Sequence, residues 1–154
     1  MTQDTSSIYL LQEGQINIPD GFTDRTVNVF SCGKPGSAFA LNIARDVPEQ
    51  GETLEEYVTR QTGMLKKHLR GYQVTRRDRL TVGEQKKDAE QVDASYMADG
   101  RKVWQRQLAL LRGEIVLIFT ATSTVAFTAK QDQQWAQWVE SFRPWPSQGG
   151  SAYV

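Results

Sequence analysis

The pattern of apolar and polar positions divides this chain into short strands, a helix, a run of longer strands and a second helix. In residues 38–45, Phe39, Leu41 and Ile43 alternate with Ala38, Ala40, Asn42 and Ala44, and the period of two predicts a strand. In residues 103–111, Trp104, Leu108 and Leu110 alternate with Val103, Gln105, Gln107, Ala109 and Leu111. The first set on each strand is a bulky apolar face. The second carries small, aliphatic and amide side chains and almost no charge, whereas the wet side of an antiparallel sheet normally shows Lys, Glu or Arg.

The remaining elements follow from turns, caps and stripes. Residues 8–12, 15–18 and 26–31 are candidate strands separated by Gly14 and by Pro19-Asp20-Gly21, and Gly33-Lys34-Pro35-Gly36 turns the chain into the 38–45 strand. Thr53 and Glu56 have capping-box spacing. They open a helix whose stripe of Leu54, Tyr57, Val58, Leu65 and Leu69 ends near Gly71, with Gln61 inside it. Residues 72–80 and 86–97 read as extended, Asp99-Gly100 and Arg112-Gly113 as two-residue hairpin turns, and 115–122 as a last strand. Trp135, Trp138, Val139 and Phe142 predict a helix over 131–142, ended by Pro144 and Pro146. Strands, helix, meander, helix is the order of an α+β fold: a curved antiparallel sheet with the helices packed on one face. Residues 1–146 form one domain and 147–154 a flexible tail.

Pairing through the two turns builds a surface. Gln107 falls opposite Val92 and Ile118, Gln105 between Ala94 and Thr120, Ala109 against Val116, and Val103 against Tyr96 and Thr122. None of these side chains is charged. Trp104, Leu108, Leu110, Ile115, Leu117 and Phe119 collect on the other face, where both helices are expected. Arg106 falls there too, and the register gives it Asp93 as a partner.

Two readings of the uncharged face stand side by side. In one, a helix of this chain or a second subunit covers it. In the other it is a groove for a foreign apolar helix, since small residues allow close approach and amides supply hydrogen bonds, as in helix packing inside membranes. A strand of about nine residues and a helix of about 20 both extend ~30 Å. Burial of each large guest side chain stabilises by ~1.5–3 kcal/mol and a hydrogen bond by ~0.5–1.5, so burial sets affinity and the amides set position.

Composition narrows the function classes. Lys+Arg and Asp+Glu balance at 18 each, which gives no general attraction to nucleic acid or anionic membranes. One cysteine, Cys32, allows no internal disulfide and fits a reducing compartment. The polar start, Met1 to Ser7, lacks the pattern of a secretory signal, and the strongest apolar run, Ile115 to Phe119, is far too short to span a bilayer; the expected location is cytoplasmic.

Catalytic chemistry finds little support. Cys32 and His68 are one of each and make a weak nucleophile–base pair. The Gly33-to-Ser37 segment lacks the spacing of a phosphate loop. The run Arg76-Arg77-Asp78-Arg79 reads as a solvated edge. No metal ligands or paired catalytic carboxylates are predicted, no cofactor is implied, and the chain does not read as an enzyme.

Five segments in order, Ile16-Asn17-Ile18-Pro19-Asp20, Thr26-Val27-Asn28-Val29-Phe30, Ile43-Ala44-Arg45-Asp46, Tyr57-Val58-Thr59-Arg60-Gln61 and Arg106-Gln107, resemble the Eag chaperones of bacterial type VI secretion, over nearly the whole chain to Pro144. The resemblance implies a PsbP-like α+β fold related to DcrB-type domains, a homodimer, and an adaptor that shields the N-terminal transmembrane segments of PAAR-containing effectors, often Rhs toxins, until they are loaded on the VgrG spike. It further implies that Val27 and Val29 are apolar groove surface and that Gln61 and Gln107 offer amides to the guest. Ala40 and Ala44 stand where a relative is expected to carry serines, and Asn42 between them supplies a polar group. The expected effector-binding set is Val27, Val29, Ala40, Asn42, Ala44, Gln61, Gln105, Gln107, Ala109, Val116 and Ile118. The alternative is a general assembly module whose uncharged face is its dimer interface.

Overall fold

A computed structural model describes residues 8–32 and 39–146. The segments 33–38 and 147–154, read from the sequence as a hairpin loop with the first residue of a strand and as a tail, lie outside the described residues, as do residues 1–7.

Strands β1 (Ile8–Leu10) and β2 (Gln15–Asn17) form a separate antiparallel hairpin. The main sheet contains β3 (Asn28–Ser31), β4 (Phe39–Asp46), β5 (Gln73–Val82), β6 (Lys87–Ala98), β7 (Arg101–Arg112) and β8 (Ile115–Ser123). Its order is β3-β4-β8-β7-β6-β5, with every neighbouring pair antiparallel. Helix α1 (Leu54–His68) connects β4 to β5, and α2 (Ala129–Glu140) follows β8. This is the α+β, antiparallel architecture expected from the chain.

Local chemistry explains the boundaries. The Thr53 side chain accepts from Glu56 N at 3.1 Å, and the Glu56 carboxylate accepts from Thr53 N at 2.9 Å, so the predicted capping box opens α1. A second box, Thr128 with Gln131, opens α2 and moves its start back from the expected 131 to 129. At the β6–β7 turn both Asp99 and Gly100 take positive φ (51° and 74°), the conformation of a I′ hairpin.

The β7–β8 turn differs from the expectation. Arg112 pairs with Ile115, so the loop is Gly113-Glu114 rather than Arg112-Gly113. Gly113 alone takes positive φ (63°) there, the II′ pattern with glycine first. The register therefore shifts by two: Gln107 faces Thr120, Gln105 faces Thr122 and Ala109 faces Ile118. A shift of one would have turned β8 over, whereas a shift of two keeps each side chain on its face. The β6–β7 register stands as predicted, with Gln107 opposite Val92 and Asp93 opposite Arg106.

The expectation that both helices share one face is corrected. Helix α2 packs Trp135 and Val139 on Leu108, Leu110, Leu117 and Phe119, the bulky face. There the indole N–H of Trp135 donates to Gln91 Oε1 at 2.9 Å, and Phe119 meets Trp138 and Phe142 edge-on. Arg106 on this face is held by Asp93 at 2.9 Å and Asp132 at 2.8 Å. Helix α1 instead packs Leu54, Tyr57 and Val58 on Val92, Ala109, Val116 and Ile118 of the opposite, uncharged face. The helical stripe specified which side of α1 is buried, but both sheet faces are apolar enough to receive it.

Candidate helix-binding groove

The antiparallel register arranges the uncharged face in rows that cross the sheet. One row runs Val29, Asn42, Thr120, Gln107, Val92; the next runs Ser31, Ala40, Thr122, Gln105, Ala94; a third runs Ala44, Ile118, Ala109, Glu90. Asp46 and Val116 lie beyond the third.

Helix α1 lies along the strands over β6 and β7. Its start rests on Ala109 and Val116, and just beyond its end Arg70 O accepts from Met97 N at 2.8 Å, near the β6–β7 turn. Side chains pin its two flanks. On the β4 side, Tyr57 Oη and Gln61 Nε2 both donate to Asp46 Oδ2, at 2.6 and 3.0 Å. Burial, reinforced by the Asp46 carboxylate, pushes the Tyr57 phenol well above its ordinary value. On the β5 side, Arg77 donates to Glu90 Oε1 at 2.8 Å, Thr59 Oγ1 at 2.9 Å and Glu55 O at 2.9 Å.

With α1 in this position, the uncharged face is only part-covered. Val92, Ala94 and Ala109 are buried, and so is Thr120 of β8; the side chains of β3 and β4 are not, with Ala40, Asn42 and Ala44 half-buried and Val29 69% exposed. Ile118 and Thr122 of β8 are half-buried as well. The open floor thus consists of β3, β4 and β8, roughly 10 Å between its outer strands, close to the width of one helix. The flank of α1 carrying Gln61 forms a wall beside it.

The expected site residues separate accordingly. Val29, Ala40, Asn42, Ala44 and Ile118 line the open floor, and Gln107 sits at its border with α1, its Nε2 donating to Thr120 Oγ1 at 3.3 Å. Gln61 joins Gln107, Ala109 and Ile118 around a cleft of about 90 Å³ between α1 and the sheet. Val27 precedes β3 and is 52% exposed. Gln105 is buried, with Oε1 unpartnered. Val116 is corrected: it is fully buried beneath α1 and offers no surface.

Three charged residues that organise the face escaped the sequence reading. Asp46 and Glu90 share its parity with Ala44 and Val92, so strand alternation alone placed them on it. The run from Arg76 to Arg79 predicts a solvated edge, whereas Arg77 pairs with the buried Glu90; a bulge at Thr75 turns it toward α1. Arg76 and Asp78 do form an exposed pair on that edge.

Other chemistry is sparse. Cys32 and His68 are both exposed and share no hydrogen bond. Among the described residues no group of three or more His, Cys, Asp or Glu is placed to hold a metal ion, and no helix is long and apolar enough to cross a membrane.

Comparison with known proteins agrees with this architecture. The chain is 28% identical over 143 residues to Effector EagT6 of Pseudomonas aeruginosa, covering 92% of this chain and 98% of that one. The crystal structure of PA94, a protein of unknown function from the same species, superposes with a TM-score of 0.75 at 28% identity, over 91% of this chain and 97% of that one. The pattern of the DcrB family matches residues 13–141, and the chain belongs to that family.

Proposed function

We propose that this protein is a cytoplasmic chaperone and adaptor of type VI secretion that holds an N-terminal transmembrane helix of a PAAR- or Rhs-type effector on the β3-β4-β8 floor, beside α1, until the effector is loaded on the VgrG spike. The observation that carries the reading is an uncharged, half-exposed strip one helix wide, flanked by a helix of the same chain lying along the strands. Likeness to Effector EagT6 over almost its whole length supports the assignment to an effector. The role is binding rather than catalysis. A guest helix there has apolar contacts below, as α1 has, and the amides of Gln61 and Gln107 at its edge. Burial of four or five guest side chains at ~1.5–3 kcal/mol each offsets the cost of immobilising the helix.

Co-expression tests this directly. The effector's apolar N-terminal segment is expected to be soluble with this protein and to aggregate or be degraded without it; equal solubility in both conditions contradicts the reading. The exposed Val27, Val29 and Phe30 at the β3 edge favour a second use of the same region as a homodimer contact. Light scattering of the free protein and of the complex separates the two, since a dimer that dissociates on guest binding places the guest and the twin on one surface.

A further inference from the structure

The cleft between α1 and the sheet contains a carboxylate oxygen that neither the fold nor the groove reading uses. Glu90 is 97% buried, its relative exposure being 3%. Its Oε1 accepts from Arg77, while Oε2 is buried and has no partner. A buried carboxylate oxygen without a donor is costly, and such a group in a native fold calls for an explanation. Glu90 lines the cleft together with Val58, Leu65, Gln107 and Ile118. Ile118 belongs to the open floor, so the same cavity touches the groove at one end and Glu90 at the other; Ala109, between them in the row, is too small to fill it.

We infer that Glu90 selects guest helices carrying a slim side chain with a neutral hydrogen-bond donor, Gln, which enters the cleft beneath α1 and donates to Oε2. This rests on the proposed helix-binding function. Three features narrow the ligand. The donor has to be neutral, because Arg77 already compensates the carboxylate and a second cation would be buried without a partner. The body has to be slim, because about 90 Å³ is well below the ~150 Å³ cavity that takes benzene. The side chain has to be long, because Ile118 and Glu90 stand two strands apart, roughly 10 Å. Gln61 fits the same polarity: one N–H of its amide is held by Asp46, which orients the side chain, and its Oε1 is an acceptor for a guest donor.

The probes are two lysine-flanked Leu/Ala helical peptides of about 22 residues, identical except for Gln or its near-isostere Met at one central position, measured by fluorescence anisotropy against the full chain. The Gln peptide is expected to bind about tenfold to a hundredfold more tightly, the range for a hydrogen bond to a charged acceptor, although Met is the more apolar residue. In the double variant Arg77→Leu/Glu90→Leu, which leaves no unpaired charge, the order is expected to reverse. Equal affinities for the wild-type protein, or tighter binding of Met, overturn the inference and leave helix binding intact. Binding of neither peptide overturns the helix-binding reading and this inference with it. The wild-type comparison decides even if the double variant does not fold.

Discussion

Asp46 joins the sheet to α1 through one oxygen, and that geometry makes a graded prediction. Tyr57 is 1% exposed, and its hydroxyl donates to Asp46 Oδ2 at 2.6 Å while Gln61 donates to the same oxygen at 3.0 Å. Tyr57→Phe keeps the ring that packs on Val92 and Val116 and removes only the hydroxyl. A hydrogen bond to a charged group nets about 1.5–3 kcal/mol, so the variant is expected to lose that much, with a melting temperature lower by roughly 3–12 °C for a chain of this size. Asp46→Asn is expected to cost less than Asp46→Ala, about 1–2 kcal/mol, because an amide oxygen in the Oδ2 position still accepts both bonds, while the charge assistance and the bond that Oδ1 accepts from Val47 N at 2.8 Å are lost. Asp46→Ala leaves a buried phenol without a partner and is expected to be the worst of the three. Urea unfolding followed by tryptophan fluorescence measures all three, with the dependence on denaturant expected to be unchanged. A Tyr57→Phe loss below about 0.5 kcal/mol, or an Asp46→Asn loss equal to that of Asp46→Ala, would refute the reasoning.

Other outcomes follow from the same geometry. Arg77→Ala strands the buried Glu90 and is expected to cost about 3–5 kcal/mol, whereas Arg76→Ala, on a pair at the solvent edge, is expected to change stability by less than about 1 kcal/mol; urea unfolding compares them. Hydrogen bonding from Arg60 holds the Glu52 carboxyl down at about 2 instead of 4.5. A depressed carboxyl contributes stability above its unfolded value and loses it as pH falls toward the folded one, so wild type is expected to lose stability between about pH 4.5 and 2, and Glu52→Gln to show a shallower decline over that window in an acid titration of the melting temperature. Leu108→Ala, at a position with no exposure, is expected to cost about 2–5 kcal/mol by the same unfolding measurement. Gln107→Glu places a charge at the border of the open floor and is expected to abolish capture of the effector segment in a pull-down while circular dichroism stays native.

Much of this architecture was legible in residue patterns, for reasons that particular residues make clear. Asp99-Gly100 prefers positive φ at both positions, so it determined the β6–β7 register and with it the Asp93–Arg106 pair. Arg112-Gly113-Glu114 offered two ways to place a two-residue loop, and the wrong one moved every β8 partner by two without moving a side chain off its face. The uncharged surface survived that error because its existence depends on parity and not on register. The helix positions did not survive, since the stripe of Leu54, Tyr57 and Val58 identifies a buried side but not the sheet face that buries it. What distinguishes the faces is polar: Asp46 and Glu90 needed donors, and Tyr57, Gln61 and Arg77 supply them. Strand parity puts Val116 and Ile118 on the same face, and only the path of α1 along β6 and β7 separates the covered residue from the open one. The start of α2 was readable in Thr128 and Gln131, whose spacing matches that of Thr53 and Glu56.

Site-specific photocrosslinking tests the central claim, that the β3-β4-β8 floor holds an effector helix. A photoreactive amino acid replaces Val29, which is exposed and in the same row as Asn42, Thr120 and Gln107, and in a control replaces Lys130 on α2, across the sheet. After co-expression with the effector, the account predicts crosslinks from position 29 that map to the effector's apolar N-terminal helix, and none from position 130. Crosslinks to that helix from position 130 alone, or from neither position while the complex still forms, would contradict it.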